Sequence, residues 1–220
     1  VAGSSQDITD RKTNELTQAA ITQISDAALT ASTIQDLLQH VHEAVGTLIP
    51  AKNFYISQYD ASADLMTFPY YADEHDQPMP PQKLGKGLTS YVIRTGKPLR
   101  TTPEIYSELE ESGEVMGGGT QGVDWLGVPL RSEGMIKGVM AVQSYDTQNR
   151  LTDKHKEILL LLSTQTIAAL ERLQARDALQ RRNTYLAASS EISRLVTSTL
   201  DLNTIFTRTV SLISERFGFY

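Results

Sequence analysis

Apolar residues recur at helical spacing from Leu16 to Leu29, with Leu16, Ala20, Ile24, Ala27 and Ala28 on one face. The stretch "TAST" interrupts the pattern, and Ser32 with Gln35 makes a capping box that opens a second helix. That helix turns Ile34, Leu37, Leu38, Val41, Val45 and Leu48 inward and stops at Pro50. Next, "NFYISQY" and "LMTFPYY" read as strands joined by the turn "DASAD". An irregular stretch, 72–87, holds three prolines and the acidic "DEHD". Leu88–Thr95 supplies two turns of helix, ended by Gly96 with Pro98 just beyond. Thr102–Pro103 predicts another helix start, an N-cap followed by proline at the first helical position. This helix fades by Gly113, before the flexible "GGG" of 117–119, and "WLGVPLR" and "GVMAVQSY" form a hairpin about "SEGM".

From Thr152 to about Val196 the chain is composed of helix formers. At about 1.5 Å per residue this is a rod of roughly 60–70 Å, longer than one globular core requires. Its first half carries an apolar face at Ile158, Leu161, Leu162, Ala168, Ala169 and Leu173. The face weakens between Arg172 and Arg182 and returns through Leu179, Leu186, Ile192 and Leu195. A helix of this kind calls for a partner, either another helix or its own copy in a dimer; the alternative is a solvated single helix.

A faint internal repeat changes the domain reading. Ile24-Ser25 answers Ile192-Ser193, Leu38 answers Phe206, and Phe54-Tyr55 answers Phe219-Tyr220. Both copies run from a helix, through a Ser/Thr break and a second helix, to an aromatic strand start. The expectation is a tandem module whose second copy stops as its first strand begins.

Composition narrows the chemistry. The formal charge of −6 argues against nucleic acid as main partner, because phosphate binding needs a basic surface. The longest apolar run, Ile158–Leu162, is far short of a bilayer span, and "VAGSSQDITDRK" has no signal-peptide character, so a cytoplasmic location is expected. Cysteine is absent, which removes disulfides, thiolate metal sites, cysteine nucleophiles and thioether-linked cofactors together.

The phrases "AKNFYISQYD", "FPYYADEHD", "GLTSYVIRTGKPL", "DWLGVPL", "GVMAVQSYD" and "LLSTQTIAALER" are similar to one bacterial subgroup of GAF domains, the small-molecule sensing modules of signalling proteins. The resemblance spans residues 16–172, about seventy per cent of the chain. "DITDRK" at 7–12 resembles the exit of a PAS domain, and residues 187–220 resemble the entry of another GAF domain. The implied layout is a PAS exit and linker at 1–14, a GAF domain at 15–172, a helical linker at 173–190 and a truncated second GAF domain at 191–220. The resemblance implies an α+β fold with a central antiparallel sheet, terminal helices on one face, a ligand pocket on the other, and a long C-terminal signalling helix. PAS–GAF–GAF strings resemble the input regions of sensor histidine kinases and, less often, of diguanylate cyclases.

Several chemistries can be weighed residue by residue. A phosphate loop needs Gly-x4-Gly-Lys-Ser/Thr between a strand and a helix; "LGKGLTS" has the wrong spacing and follows Pro80-Pro81. In the GAF resemblance this segment is a short helix roofing the pocket, with Gly85 and Gly87 giving a tight entry. A helix N-terminus beside a lysine attracts anions, which makes Lys86, Thr89, Ser90 and Arg94 candidate ligand contacts. The alternative leaves Lys86 and Arg94 solvated and gives Thr89 a capping role. Tyr91 and Trp125 join the candidates because their polar tips can orient a bound ring; Phe54, Tyr55, Tyr59, Phe68, Tyr70 and Tyr71 read mainly as core.

Basic residues fill 82–100 and acidic ones 104–114, so ion pairs between the two blocks are expected to hold a mobile lid, against the plainer reading of solvated faces. His40 and His42 point to different sides of one helix, and "DEHD" around His75 is a weak metal candidate without a second cluster. "DKHKE" lacks a kinase phosphoacceptor setting, and neither an ATP-binding glycine box nor a Gly-Gly-Asp/Glu-Glu-Phe motif is present. Sulfoxide reductases and bilin-binding proteins of GAF type work through cysteines. Cyclic-nucleotide GAF domains carry Asn-Lys…Phe-x3-Asp-Glu, where this chain has Gln143–Tyr145, Leu151 and His155-Lys156. The chain therefore reads as a regulatory module rather than an enzyme. It is expected to form a homodimer through its N- and C-terminal helices and to take a small ligand that is not a cyclic nucleotide. The alternative is a ligand-free dimerisation and relay module.

Overall fold

The computed structural model describes residues 2–117, 120, 122–198 and 202–218. The chain divides into two units, Val1–Leu173 and Gln174–Tyr220. In the first, α1 (Ala2–Thr30) and α2 (Ile34–Gly46) precede a hairpin of β1 (Asn53–Asp60) and β2 (Leu65–Ala72). Then come α3 (Leu88–Thr95), β3 (Leu99–Thr101), α4 (Pro103–Glu111), β4 (Asp124–Ser132), β5 (Met135–Ser144) and the start of α5 (Asp153–Ser198). The second unit holds the rest of α5, together with α6 (Leu202–Phe217). Among the described residues no helix is long and apolar enough to cross a membrane.

The five strands form one antiparallel sheet in the order β2-β1-β5-β4-β3. β4 and β5 turn tightly at Glu133 and Gly134, both at positive φ (48° and 77°), as a two-residue hairpin whose twist matches its strands requires. Strand alternation divides the core into two layers. On one face Phe54, Ile56, Leu126, Val128, Leu130, Met140 and Val142 pack against Ile24, Leu37, Leu38, Val41, Leu159 and Leu162 of the terminal helices. On the other, Tyr55, Trp125, Val139 and Ala141 pack with Met66 and with Val92 and Ile93 of α3. The fold is thus α+β, with helices on one face of the sheet and a short roof helix on the other.

Pro69 lies in edge strand β2, where a missing N–H is tolerated. The β1–β2 register shifts between Ile56 and Gln58, a bulge that changes the phase of β2. Phe68 and Tyr71 consequently pack with the roof layer, while Tyr70 packs with the helix layer. There Tyr70 meets His42, whose Nδ1 lies 2.9 Å from the Tyr70 hydroxyl and whose Nε2 lies 2.6 Å from the Ala51 carbonyl oxygen. His40 instead reaches the Asp36 carbonyl of its own helix.

Three local expectations are corrected. The cap of α2 is Thr33, whose hydroxyl accepts from Asp36 N at 3.1 Å while Asp36 accepts from Ser32 N at 3.0 Å; the box is Thr33/Asp36, not Ser32/Gln35. A carboxylate one residue further on completes it, and the negative charge suits a helix N-terminus. Leu161 is 44% exposed, because the inward face of α5 is phased on Ile158, Leu159, Leu162, Ala169, Leu170 and Leu173. Leu16 is 40% exposed, since burial along α1 is built from Thr17 and Ala20 onward.

Candidate functional site

The roof helix α3 begins after Gly87, whose backbone caps it without a side-chain bond, and ends in Gly96 at φ 64°. A left-handed residue there returns its N–H to Val92 O and turns the chain directly into β3. Thr89, Ser90, Val92 and Ile93 form the buried face of α3. Thr89 does not cap the helix: its hydroxyl lies 2.8 Å from that of Tyr55, on the strand below. Trp125 completes the arrangement, its indole N–H donating to the Tyr55 hydroxyl at 3.0 Å. Three polar tips from α3, β1 and β4 therefore converge inside an apolar layer. Desolvation pushes the Tyr55 phenol up to about 12, its bonds with Thr89 and Trp125 acting in the opposite sense. Phe68 and Tyr71 flank it, with ring centroids 5.8 and 5.4 Å from that of Tyr55.

The rim of the roof is stitched by the remaining candidates. Arg94 donates to the Gly85 carbonyl (2.6 Å) and to the Glu114 carbonyl (2.9 Å), and Lys86 Nζ donates to the Gly113 carbonyl (3.2 Å). Met116 N returns a bond to Lys86 O, and Ser90 Oγ accepts from Gly85 N at 3.2 Å. The two charge blocks do meet, yet through backbone carbonyls rather than glutamate carboxylates. The carbonyls just past the C-terminus of α4 carry partial negative charge and suit a cation. Tyr91 sits half-buried on the flank of α3, outside the Tyr55 network.

Beside this network the segment after β2 presents Asp73, Glu74, His75 and Asp76. Asp73 accepts from the backbone of His75 and Asp76 and from the Tyr145 hydroxyl at 3.0 Å. Asp76 accepts from Thr120 N and Oγ1, both at 2.9 Å, and Glu74 pairs with Lys52 and Asn53. Burial and the neighbouring Asp73 push the Tyr71 and Tyr145 phenols upward, and the Lys52 and Asn53 contacts hold Glu74 below the usual carboxylate range. The carboxylates of "DEHD" thus serve protein partners. Among the described residues no cluster is arranged to hold a metal. A cleft of about 360 Å³ opens at this end of the sheet, lined among others by Lys52, Asn53, Glu74, His75, Tyr145 and Asn149.

Of the six candidates read from sequence, Thr89 and Trp125 meet in one network, Lys86, Ser90 and Arg94 hold the rim, and Tyr91 joins neither. Two positions that organise these contacts escaped that reading. Tyr55, placed with the core aromatics, is the hub; its alternation with Phe54 and Ile56 puts a polar-tipped ring on the roof side. Asp124, next to Trp125, is the other; it bonds Arg150 and Leu151 far along the chain, and no local pattern announces it.

The protein thus has a five-stranded antiparallel sheet with terminal helices on one face and a hydrogen-bonded roof on the other. Residues 31–171 match the family model for the GAF domain. The chain belongs to the GAF domain family, which serves as a sensory and regulatory module in signalling proteins. Solved structures agree on the fold. The GAF domain of a phosphoenolpyruvate-protein phosphotransferase from Coxiella burnetii is similar with a TM-score of 0.58, at 15% identity over 74% of this chain and 96% of that one. Free methionine-R-sulfoxide reductase from Neisseria meningitidis, in complex with its substrate, is similar at 0.57 with 12% identity over 73% and 91% of the two chains. The nlh2 GAF domain of A. aeolicus, in an inactive state, is similar at 0.54 with 13% identity over 72% and 98%. No curated protein matches the chain.

Proposed function

We propose that this chain is the input region of a multidomain bacterial signalling protein, in which a small ligand taken up between roof and sheet shifts α3 and the shift passes to the long helix α5. The observation that carries this reading is the Tyr55 hydroxyl, shared by Thr89 and Trp125 inside an apolar layer. Few polar groups converging in an apolar setting are what orients a small ligand. A ligand that offers its own donor and acceptor exchanges for these internal bonds and releases the roof, which a purely apolar contact would not permit. The ligand must bind the two roof positions with different affinity, or nothing is transmitted.

By sequence resemblance the parent protein is a sensor histidine kinase, with a diguanylate cyclase as alternative output. The module itself does no chemistry in this reading, since its network holds neither a nucleophile–base pair nor a cysteine. The helix "DITDRK" within α1 then continues from a PAS domain. α6 opens a second GAF copy, its Leu202, Ile205, Leu212 and Ile213 repeating the spacing of Ile34, Leu37, Ala44 and Val45 in α2. Phe219-Tyr220, the proposed strand start, lies outside the described residues. Thermal denaturation against a panel of small metabolites tests the ligand reading: a compound that raises the melting temperature of the protein, and does so less for Thr89→Val, is the expected result. No shift with any compound favours the second reading.

That second reading is a ligand-free dimerisation and relay module. It is favoured by apolar side chains left exposed on helices, among them Leu29 of α1 and Leu160, Leu161, Leu179 and Leu186 of α5. Both readings share a homodimer through the N- and C-terminal helices.

A further inference from the structure

Leu151 stands two residues before α5 and is 2% exposed, and both of its backbone polar groups are held by strands. Its N–H donates to Asp124 Oδ2 at 2.8 Å, and its carbonyl accepts from Arg100 Nη1 at 3.2 Å. Asp124, buried at the start of β4, gives the rest of its carboxylate to Arg150 through bonds of 2.7 and 2.9 Å. Arg100, in β3, also lies 3.6 Å from Asp153, the first residue of α5. The root of the long helix is therefore clasped through both backbone polar groups of one residue.

Each half of the clasp leads back to the roof. Asp124 is the neighbour of Trp125, and successive strand residues point to opposite faces of the sheet. The indole, which bonds Tyr55 and through it Thr89 of α3, is carried by the same stretch of backbone as the Asp124 carboxylate. Arg100 lies four residues beyond Gly96, on the strand into which α3 runs directly. α3 thus reaches Leu151 by a hydrogen-bonded route and by a covalent one.

We infer that the backbone of Leu151 is where a movement of the roof is handed to α5, with Asp124 and Arg100 as the residues that hand it over. The purpose of this device rests on the sensory reading above; its test does not. A buried carboxylate that loses one partner is left with uncompensated charge, so the clasp either holds or releases and does not stretch gradually.

The test measures hydrogen–deuterium exchange of the amides of 151–157 in the full chain, together with the emission of Trp125, the single tryptophan. Tyr55→Phe, which alters a side chain with no bond to residues 150–153, is expected to speed exchange at 151–157 by roughly fivefold or more. Tyr70→Phe, which removes the hydroxyl bonded to His42 on the helix face, leaves that exchange at the wild-type rate. Coupling is reciprocal, so Arg150→Lys, breaking the bidentate contact, shifts the Trp125 emission. Should that variant not fold, Arg100→Lys gives the same readout from the carbonyl side. Wild-type exchange in Tyr55→Phe, equal acceleration by Tyr70→Phe, or unchanged emission in the arginine variant overturns the inference. No ligand is required: failure to find one counts against the sensory reading alone, and failure of coupling counts against this device alone.

Discussion

The indole N–H of Trp125 bonds the Tyr55 hydroxyl at 3.0 Å although their strands, β4 and β1, are not neighbours. β5 runs between them, and its Ala141 lies opposite both Tyr55 and Gly127. Gly127 shares a sheet face with Trp125, and a Cβ placed there would stand 2.1 Å from the ring. The indole therefore lies over a surface of small residues that lets it reach across a strand.

Gly127→Ala is accordingly expected to displace the indole and break its bond to Tyr55. Overpacking of this kind costs about 1–3 kcal/mol. Denaturant unfolding followed by Trp125 emission checks it: a lower midpoint accompanied by an altered native-state spectrum is the expected pair of results.

Tyr55→Phe leaves the Trp125 N–H and the Thr89 hydroxyl without their buried partner. The expected loss is about 1–3 kcal/mol, read as a lower denaturation midpoint at unchanged slope. Thr89→Val in the same background should then cost less than it does in the wild type, because the two hydroxyls form one bond.

Alkaline stability follows from the same phenol. Tyr55 is neutral when protonated and its folded-state pKa is raised, so the stabilisation is complete below the unfolded value of about 10 and is lost as pH climbs towards about 12. Tyr71 and Tyr145 are shifted in the same direction and add to the loss. Melting temperature measured from pH 9 to 12 should fall through that window, and the fall should be shallower in Tyr55→Phe.

Arg94→Ala removes both carbonyl contacts that join 85 to 114, and Arg94→Lys does not restore them, since a single ammonium cannot reproduce the guanidinium fork. Limited proteolysis is expected to cut faster within 112–122 in both variants, with little change in global unfolding because the residue is exposed.

The layered fold was largely legible because alternation in β1, β4 and β5 and the helical spacing of α2 are strong local signals. Gly96 and Thr102–Pro103 marked helix ends that the backbone itself requires. The inward phase of α5 was harder: "ILLLL" is apolar all round, so periodicity alone did not separate buried Leu159 from exposed Leu161. In the site, the rim residues Lys86 and Arg94 were visible as cations near glycines, but their acceptors are backbone carbonyls, which carry no sequence signature. Tyr55 and Asp124 act through partners 34 and 26 residues away, and no local window reveals such pairs.

Native mass spectrometry of the protein, purified without denaturant, reports subunit number and retained small molecules together. A retained small-molecule mass, reduced in Thr89→Val, is what a ligand held under α3 predicts. Protein that carries no added mass, whatever its subunit number, contradicts it.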